Sequence, residues 1–199
     1  DGSKDTTPLI LSRLTEQDDH VRALILARNF GHQLAITCGM DYAQGDAIIT
    51  MDGDMQHPPA MIPDLVQKWR EGFDVVQTVR KGTDDAGFLK RLTSKWYYIL
   101  LNALSPVHIT PGGSDFRLID RRVLNTFRLF REHDRFIRGM MGDIGYKQTT
   151  LDFIAPRRFA GKSKFSGRKM LHFALDGITA FSKTPLRISF YAGLLSGLL

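Results

Sequence analysis

The chain has 199 residues, 43% of them hydrophobic, which allows one good core followed by a tail. Its single cysteine, Cys38, excludes an internal disulfide and fits a reducing, cytosolic setting; inside an apolar helical pattern it reads as a small buried hydrophobe. The net charge of +6 and pI near 9.6 point to an anionic partner, and composition alone does not choose among nucleic acid, nucleotide phosphates and a membrane surface.

Asp1 to Pro8 reads as a turn feeding a helix, because Thr7 can cap it and Pro8 suits the first helical position. That helix is expected to run to about Asp18. Val21 to Leu26 reads as a strand, and Arg28-Asn29-Phe30-Gly31 turns the chain into a second helix ending near Gln44-Gly45. Ala35, Gly39 and Ala43 share one side of that helix, where small residues would let it lie close on a sheet.

Next comes Ala47-Ile48-Ile49-Thr50, a short apolar run that reads as a buried strand, followed by Met51-Asp52-Gly53-Asp54-Met55-Gln56-His57-Pro58-Pro59. Two carboxylates at the C-terminal end of a strand repel each other unless a cation joins them. Hard oxygen ligands in that position suit Mg2+ or Mn2+ carrying a diphosphate, with Gln56 as a neutral oxygen donor. Most short acid pairs are solvated turns between a strand and a helix, so the pattern gains weight only from what surrounds it.

Pro58 and Pro59 open a helix from about Ala60 to Glu71, and Phe73 to Thr78 gives another strand. This alternation of strand and helix predicts a mostly parallel sheet covered by helices. Gly87 to Leu104 reads as a basic helix whose aromatics Trp96, Tyr97 and Tyr98 scatter around it and belong to a core. Pro111 to Arg117 reads as a flexible loop leading into a strand over Phe116 to Ile119, then a helix from Arg121 to Phe130. Arg135 to Gly139 begins a short helix, and Gln148 to Ile154 alternates like a strand.

From Arg157 to Lys169 the chain carries six basic residues and no acid, a run that could wrap a diphosphate or simply face solvent. Met170 to Phe181 has the pattern of an amphipathic helix. Pro185 to Leu199 is almost wholly apolar and reads as the start of a transmembrane helix, too short to span a bilayer as it stands. Lys183 and Arg187 at its beginning favour a cytosolic position for the preceding domain. With no initial methionine, no signal-peptide pattern and an apolar end, the chain reads as cut at both termini.

Six motifs, taken in order, resemble the family 2 glycosyltransferases that load a sugar onto a polyprenyl phosphate. They are Asp1-Gly2-Ser3-Lys4-Asp5-Thr6, Arg28-Asn29-Phe30-Gly31, Asp52 to Pro59, Ser114-Asp115-Phe116-Arg117-Leu118, Arg135 to Gly139, and Arg158-Phe159-Ala160-Gly161-Lys162-Ser163-Lys164. The likeness is stronger to bactoprenol glucosyltransferases than to dolichyl-phosphate mannosyltransferases. It implies an α/β GT-A (Rossmann-like) catalytic domain over residues 1–155, its first strand and Pro-x-Tyr-Asn motif expected before Asp1. A basic loop and juxtamembrane amphipathic helix over 156–184 and the beginning of a transmembrane segment over 185–199 would follow.

The resemblance further implies transfer, with inversion, of a hexose from a nucleotide sugar, with UDP-glucose first among donors, to a polyprenyl phosphate such as undecaprenyl phosphate. Asp1 and Asp52 would then lie at the nucleotide, and Asp52, Asp54 and Gln56 would hold Mg2+ or Mn2+. Arg158, Lys162, Ser163 and Lys164 would close over the donor diphosphate. Arg80, Lys90, Ser94 and Arg117 would contact the acceptor phosphate, lysine at 90 standing where the mannosyltransferases have arginine and giving up the bidentate fork. Gly53 stands where relatives commonly carry alanine. Asp54 and Asp115 are the catalytic candidates, Asp115 chiefly orienting the acceptor or sugar, with Arg117 nearby to hold the loop, because a phosphate monoester is mostly dianionic at neutrality; the competing reading is an acid that simply pairs with Arg117 across a turn. Membrane lipid and a second copy of the chain complete the expected partners, nucleic acid is not among them, and the expected location is the cytoplasmic face of the inner (plasma) membrane.

Two readings from other classes compete. A basic nucleic-acid-binding module would need positive charge and exposed aromatics on one face and no paired acids at a strand end. A catalytically inactive membrane-anchored scaffold would keep the motifs without turnover.

Overall fold

The computed structural model of the protein describes residues 1–81, 112–130, 132, 136–156 and 184–197. Its centre is a four-stranded sheet built from β1 (Ala47–Thr50), β2 (Val75–Arg80), β3 (Gly113–Asp120) and β4 (Gln148–Phe153), in the order β1-β3-β2-β4. Around it lie α1 (Thr7–Gln17), α2 (His32–Tyr42), a 3-10 turn at Pro59–Met61 leading into α3 (Ile62–Arg70), α4 (Arg121–Leu129), α5 (Ile137–Asp143) and α6 (Thr184–Gly197).

The sheet is mixed, which corrects the expectation of a mostly parallel one. β3 runs antiparallel to both β1 and β2, and only β2 and β4 pair in parallel. Alternation of strands and helices sets the number of layers but not the direction in which a strand returns, and β3 returns between its neighbours after the long segment that follows β2. A second correction concerns residues 113–115, expected in a loop and found inside β3. The strand is buried continuously from Ser114 to Ile119, as suits the central position, and Gly112 at φ +74° makes the turn into it with its amide oxygen bonded by Arg80 N at 3.0 Å.

Alternating side chains of the sheet feed two cores. On one face Val75 and Ile119 pack with Met40 of α2, Val123, Leu124 and Phe127 of α4, and Ile137, Met140 and Met141 of α5. On the other, Val76, Phe116 and Leu118 pack against Leu65 of α3. α2 and its C-cap Ala43 meet the sheet through Ile36, Thr37, Met40 and Ala43, whereas Gly39 is exposed and an added Cβ there would touch nothing within 4 Å, so of the small-residue face predicted for this helix Ala43 joins the core and Gly39 does not. Cys38 is half-buried rather than enclosed. Val21 to Leu26 is extended chain with no strand partner among the described residues. α1 buries none of its residues.

α6 has 14 residues and exposes Phe190, Tyr191 and Leu194. No helix among the described residues is long and apolar enough to cross a membrane. The basic helix expected over 87–104, the basic run from Arg157 and the helix from Met170 to Phe181 lie outside the described residues.

Asp120 joins β3 to α4 and ties both to α3. Its Oδ1 caps α4 by accepting from Arg122 N at 2.8 Å, and its Oδ2 accepts from Trp69 Nε1 at 2.7 Å. Burial alone would raise its pKa, but these hydrogen bonds and the Arg122 charge hold it below the ordinary carboxylate value of 3.8. Its stabilisation is therefore complete above that value and is lost as pH falls through the depressed one. Asp120→Ala is expected to cost about 1–3 kcal/mol in urea unfolding at pH 7, and Asp120→Asn, which keeps an acceptor, less.

Candidate functional site

Because β3 is antiparallel to β1, the end of β1 and the start of β3 meet at one edge of the sheet: Thr50 is opposite Arg117, and Thr50 Oγ1 donates to the Asp115 carbonyl at 2.5 Å. The acid turn leaves β1 at this edge. Within it Asp54 Oδ1 accepts from Gln56 N at 3.1 Å, a local Asx arrangement, and Met55 between them adopts φ 63°, a left-handed conformation that costs a side-chain-bearing residue roughly 1–2 kcal/mol. Gly53 is open, with nothing within 4 Å of an added Cβ, so alanine fits at that position without rearrangement.

His57 ends the turn and is buried. Its Nδ1 accepts from Asp52 N at 2.9 Å, so the ring proton belongs on Nε2, which lies 2.7 Å from Ser114 Oγ and donates to it. The ring stacks on Phe116 with centroids 5.1 Å apart and meets the edge of Phe153 at 5.9 Å. Burial pushes the His57 pKa down, against the pull of Asp52, Asp54 and Asp115, and the ring is neutral.

Ser114 and Asp115 are consecutive on β3 and face opposite sides of the sheet. On the α2 and α5 side, the Asp115 carboxylate is 6% exposed and fully engaged. Oδ1 accepts from Arg117 Nη2 at 2.8 Å and Arg138 Nε at 3.0 Å; Oδ2 accepts from Arg138 Nη2 at 2.8 Å and lies 3.1 Å from His32 Nε2. Burial would raise the pKa of Asp115, but hydrogen bonds from His32 and Arg138 and the charges of both arginines overcome it and hold the carboxyl far below the usual range. The same hydrogen bond raises the pKa of His32, with Asp52 Oδ1 at 3.9 Å adding to the effect. The stabilisation that His32 contributes is thus present below its ordinary value and fades as pH rises through the raised one.

Arg117, expected at the acceptor phosphate, is instead enclosed. It is 2% exposed, its Nη2 bonds the Ser114 carbonyl and Asp115 Oδ1, and its Nη1 is buried with no hydrogen-bond partner among the described residues. Burial brings its pKa down to about 10, with Asp115 opposing the fall. A guanidinium in that position neutralises Asp115 and does not face solvent. Arg80 ends β2 partly buried, its Nε enclosed and without a hydrogen-bond partner among the described residues. Asp1 joins the first two sequence motifs: Oδ1 accepts from Phe30 N at 2.7 Å and Oδ2 from Gly31 N at 3.0 Å. Gly2 is required there, since at φ +61° a Cβ would lie 2.3 Å from Asn29 N. Lys90, Ser94, Arg158, Lys162, Ser163 and Lys164 lie outside the described residues.

Sequence reasoning missed His32, His57, Ser114 as a contact, and Arg138. Each stands in or directly beside a motif that was noticed. The available signal was their place in those motifs: His32 directly follows Gly31, and His57 stands between Gln56 and Pro58 of the acid motif.

Among the described residues no group of three or more His, Cys, Asp and Glu side chains could hold a metal ion by itself. Mg2+ or Mn2+ with a nucleotide does not need such a cage: one or two carboxylates and substrate phosphate oxygens suffice. Asp52 and Asp54, with the Gln56 amide on the same turn, fit that donor set.

The family described as Glycosyl transferase family 2 matches residues 1–128. A glycosyltransferase of Bacillus subtilis (strain 168), YkcC, itself called uncharacterized, is 42% identical over 195 residues, covering 98% of this chain and 60% of its own. The prophage bactoprenol glucosyl transferase homolog of Escherichia coli (strain K12) is 42% identical over 194 residues, 98% of this chain and 63% of its own. The bactoprenol glucosyl transferase of Shigella phage SfV is 41% identical over 194 residues with the same coverage. The chain thus spans about three fifths of the length of the curated relatives it matches.

The charge network makes an asymmetric prediction. Asp115→Asn strips Arg117 of its one carboxylate partner among the described residues and should cost about 3–5 kcal/mol, whereas Arg117→Met leaves Asp115 with Arg138 and His32 and should cost less. Urea unfolding of both variants beside the parent measures the difference; equal losses would show that the pairing does not set the stability.

Proposed function

Since the chain belongs to glycosyl transferase family 2, we propose that it is the catalytic part of a polyprenyl-phosphate hexosyltransferase that moves glucose from UDP-glucose to undecaprenyl phosphate with inversion. The observation that carries the reading is the meeting, at one sheet edge, of the Asp52 to Gln56 turn and the Asp115 cluster. The names of the bactoprenol glucosyl transferase relatives support the choice of sugar and lipid.

In this reading an oxygen of the lipid phosphate attacks the anomeric carbon as the nucleoside diphosphate departs, and a single displacement inverts the configuration. Asp52, Asp54 and Gln56 hold Mg2+ or Mn2+, which when bound offsets the charge developing on the diphosphate. Asp1 shapes the Phe30-Gly31 corner near the nucleotide. Arg80, with Lys90 and Ser94, serves the acceptor phosphate, and Arg158, Lys162, Ser163 and Lys164 the donor diphosphate. Asp115 holds Arg138 and His32 at the edge where the substrates meet and takes no proton near neutrality. The exposed apolar residues of α6 support attachment to a membrane, with the catalytic part on its cytoplasmic face.

The direct test is the full-length protein in membranes, supplied with labelled nucleotide sugars and undecaprenyl phosphate. Inverted glucosyl lipid formed from UDP-glucose in preference to other donors is expected; transfer to no lipid phosphate from any donor would overturn the reading. In the same assay Asp54→Ala, or excess chelator on the unaltered enzyme, should remove most turnover, and full activity in either case would dismiss the metal role. Asp115→Asn is expected to lower kcat by a constant factor from about pH 6 to pH 8, because a carboxylate whose proton affinity is held far below the usual range is too weak an acceptor to serve as a base there. A deficit that shrinks as pH rises would restore proton transfer to Asp115.

A further inference from the structure

We propose that His57 is a positioning residue of the donor site: it closes the acid turn upon itself and fastens that turn to β3, setting where the Asp52 and Asp54 carboxylates stand. The inference deepens the reading above and rests on it.

Three observations lead there. First, an imidazole is enclosed between Phe116 and Phe153 in an otherwise apolar layer, a position that costs free energy unless both ring nitrogens are satisfied. Both are, one by the Asp52 amide and the other by Ser114 Oγ. Second, the hydrogen bond from Asp52 N to His57 Nδ1 makes a ring of the chain from 52 to 57, and both acids lie inside it. The strained Met55 and the Asp54 to Gln56 bond lie inside it as well, so the turn has a defined shape only while its ends are joined. Third, Ser114 Oγ also accepts from Phe116 N at 3.2 Å, which fixes the far anchor within the central strand.

The tautomer also rules out another role. With Nδ1 occupied as an acceptor, Nε2 carries the proton and cannot remove one from Ser114, so the short Ser114 to His57 contact is an anchor and not an activated nucleophile. Asp52 Oδ2 lies 3.8 Å from Nε2, beyond hydrogen-bond range, so the ring holds Asp52 through its backbone and not through its carboxylate.

The two functions of the ring separate chemically. Asparagine at 57 puts an acceptor where Nδ1 is and can keep the turn closed; glutamine reaches the position of Nε2 and keeps only the Ser114 anchor; phenylalanine keeps the stacking and neither bond. The full-length protein in membranes would be measured for Mn2+ binding in the presence of UDP, by the electron paramagnetic resonance of the metal, and for KM of UDP-glucose and kcat separately. His57→Phe is expected to weaken Mn2+ binding about 10- to 100-fold, as loss of an outer partner of a metal ligand does, and to raise KM in parallel. His57→Asn should recover most of that loss and His57→Gln little of it. Asn and Gln variants that behave alike, or a Phe variant that binds as the unaltered protein does, would overturn the role of His57 alone. An unaltered protein that binds no Mn2+ with UDP would overturn the donor-site reading, and this inference with it.

Discussion

The Asp115 carboxylate, buried in the central strand and surrounded by Arg117, Arg138 and His32, is the interaction on which the site depends. A lone carboxylate so enclosed would take up a proton or drive the strand apart, and a lone guanidinium at Arg117, which can shed its charge only by losing a proton, would be strongly destabilising. Each is tolerable because of the other. Their pairing along one strand, at positions two apart on the same face, is available only because β3 is central and covered by α2 and α5.

The direction of β3 turns this buried cluster into part of a surface site. Had β3 run parallel to β1, Ser114 and Asp115 would sit at the opposite edge of the sheet from the acid turn. Antiparallel pairing places them beside the end of β1, and the alternation of side chains sends Ser114 toward one core and Asp115 toward the other. The acid turn therefore has a histidine on each side of the sheet: His57 bonded to its backbone on the α3 face, and His32 within 3.9 Å of the Asp52 carboxylate on the α2 face.

How much of this was legible in sequence follows from what each residue does locally. The strand Ala47–Thr50, the acids at its exit and the proline-led helix after them could be read directly, since an apolar run, a glycine between acids and two prolines are local signals. β3 could not be read to its start, because Ser114, Asp115 and Arg117 are polar residues made compatible with burial only by partners on α2, α5 and the acid turn. Strand direction depends on where a chain returns, which periodicity does not encode. The family motifs place Asp52, Asp54 and Asp115 in one site, and the structure brings the acid turn and Asp115 to one end of the sheet; the enclosure of Arg117 is not legible there, because a charge cluster at the sheet interior looks the same in sequence as a surface ion pair.

The charges at the site are divided in a way that suits two anionic substrates. On the Asp115 side, among the described residues, one carboxylate meets two guanidiniums and an imidazole whose proton is held beyond its ordinary range. The acid turn brings two carboxylates, Asp52 and Asp54, and a closing histidine that is neutral, the kind of oxygen donors that a divalent cation carrying a diphosphate uses. Under the proposed function, the acceptor phosphate would meet the Arg138 and His32 side of this edge, and a nucleotide sugar would enter with its metal at the acid turn. In the proposed reaction that separation keeps the two anions from exchanging places and sets the attacking phosphate on one flank of the sheet edge, with the leaving diphosphate on the other.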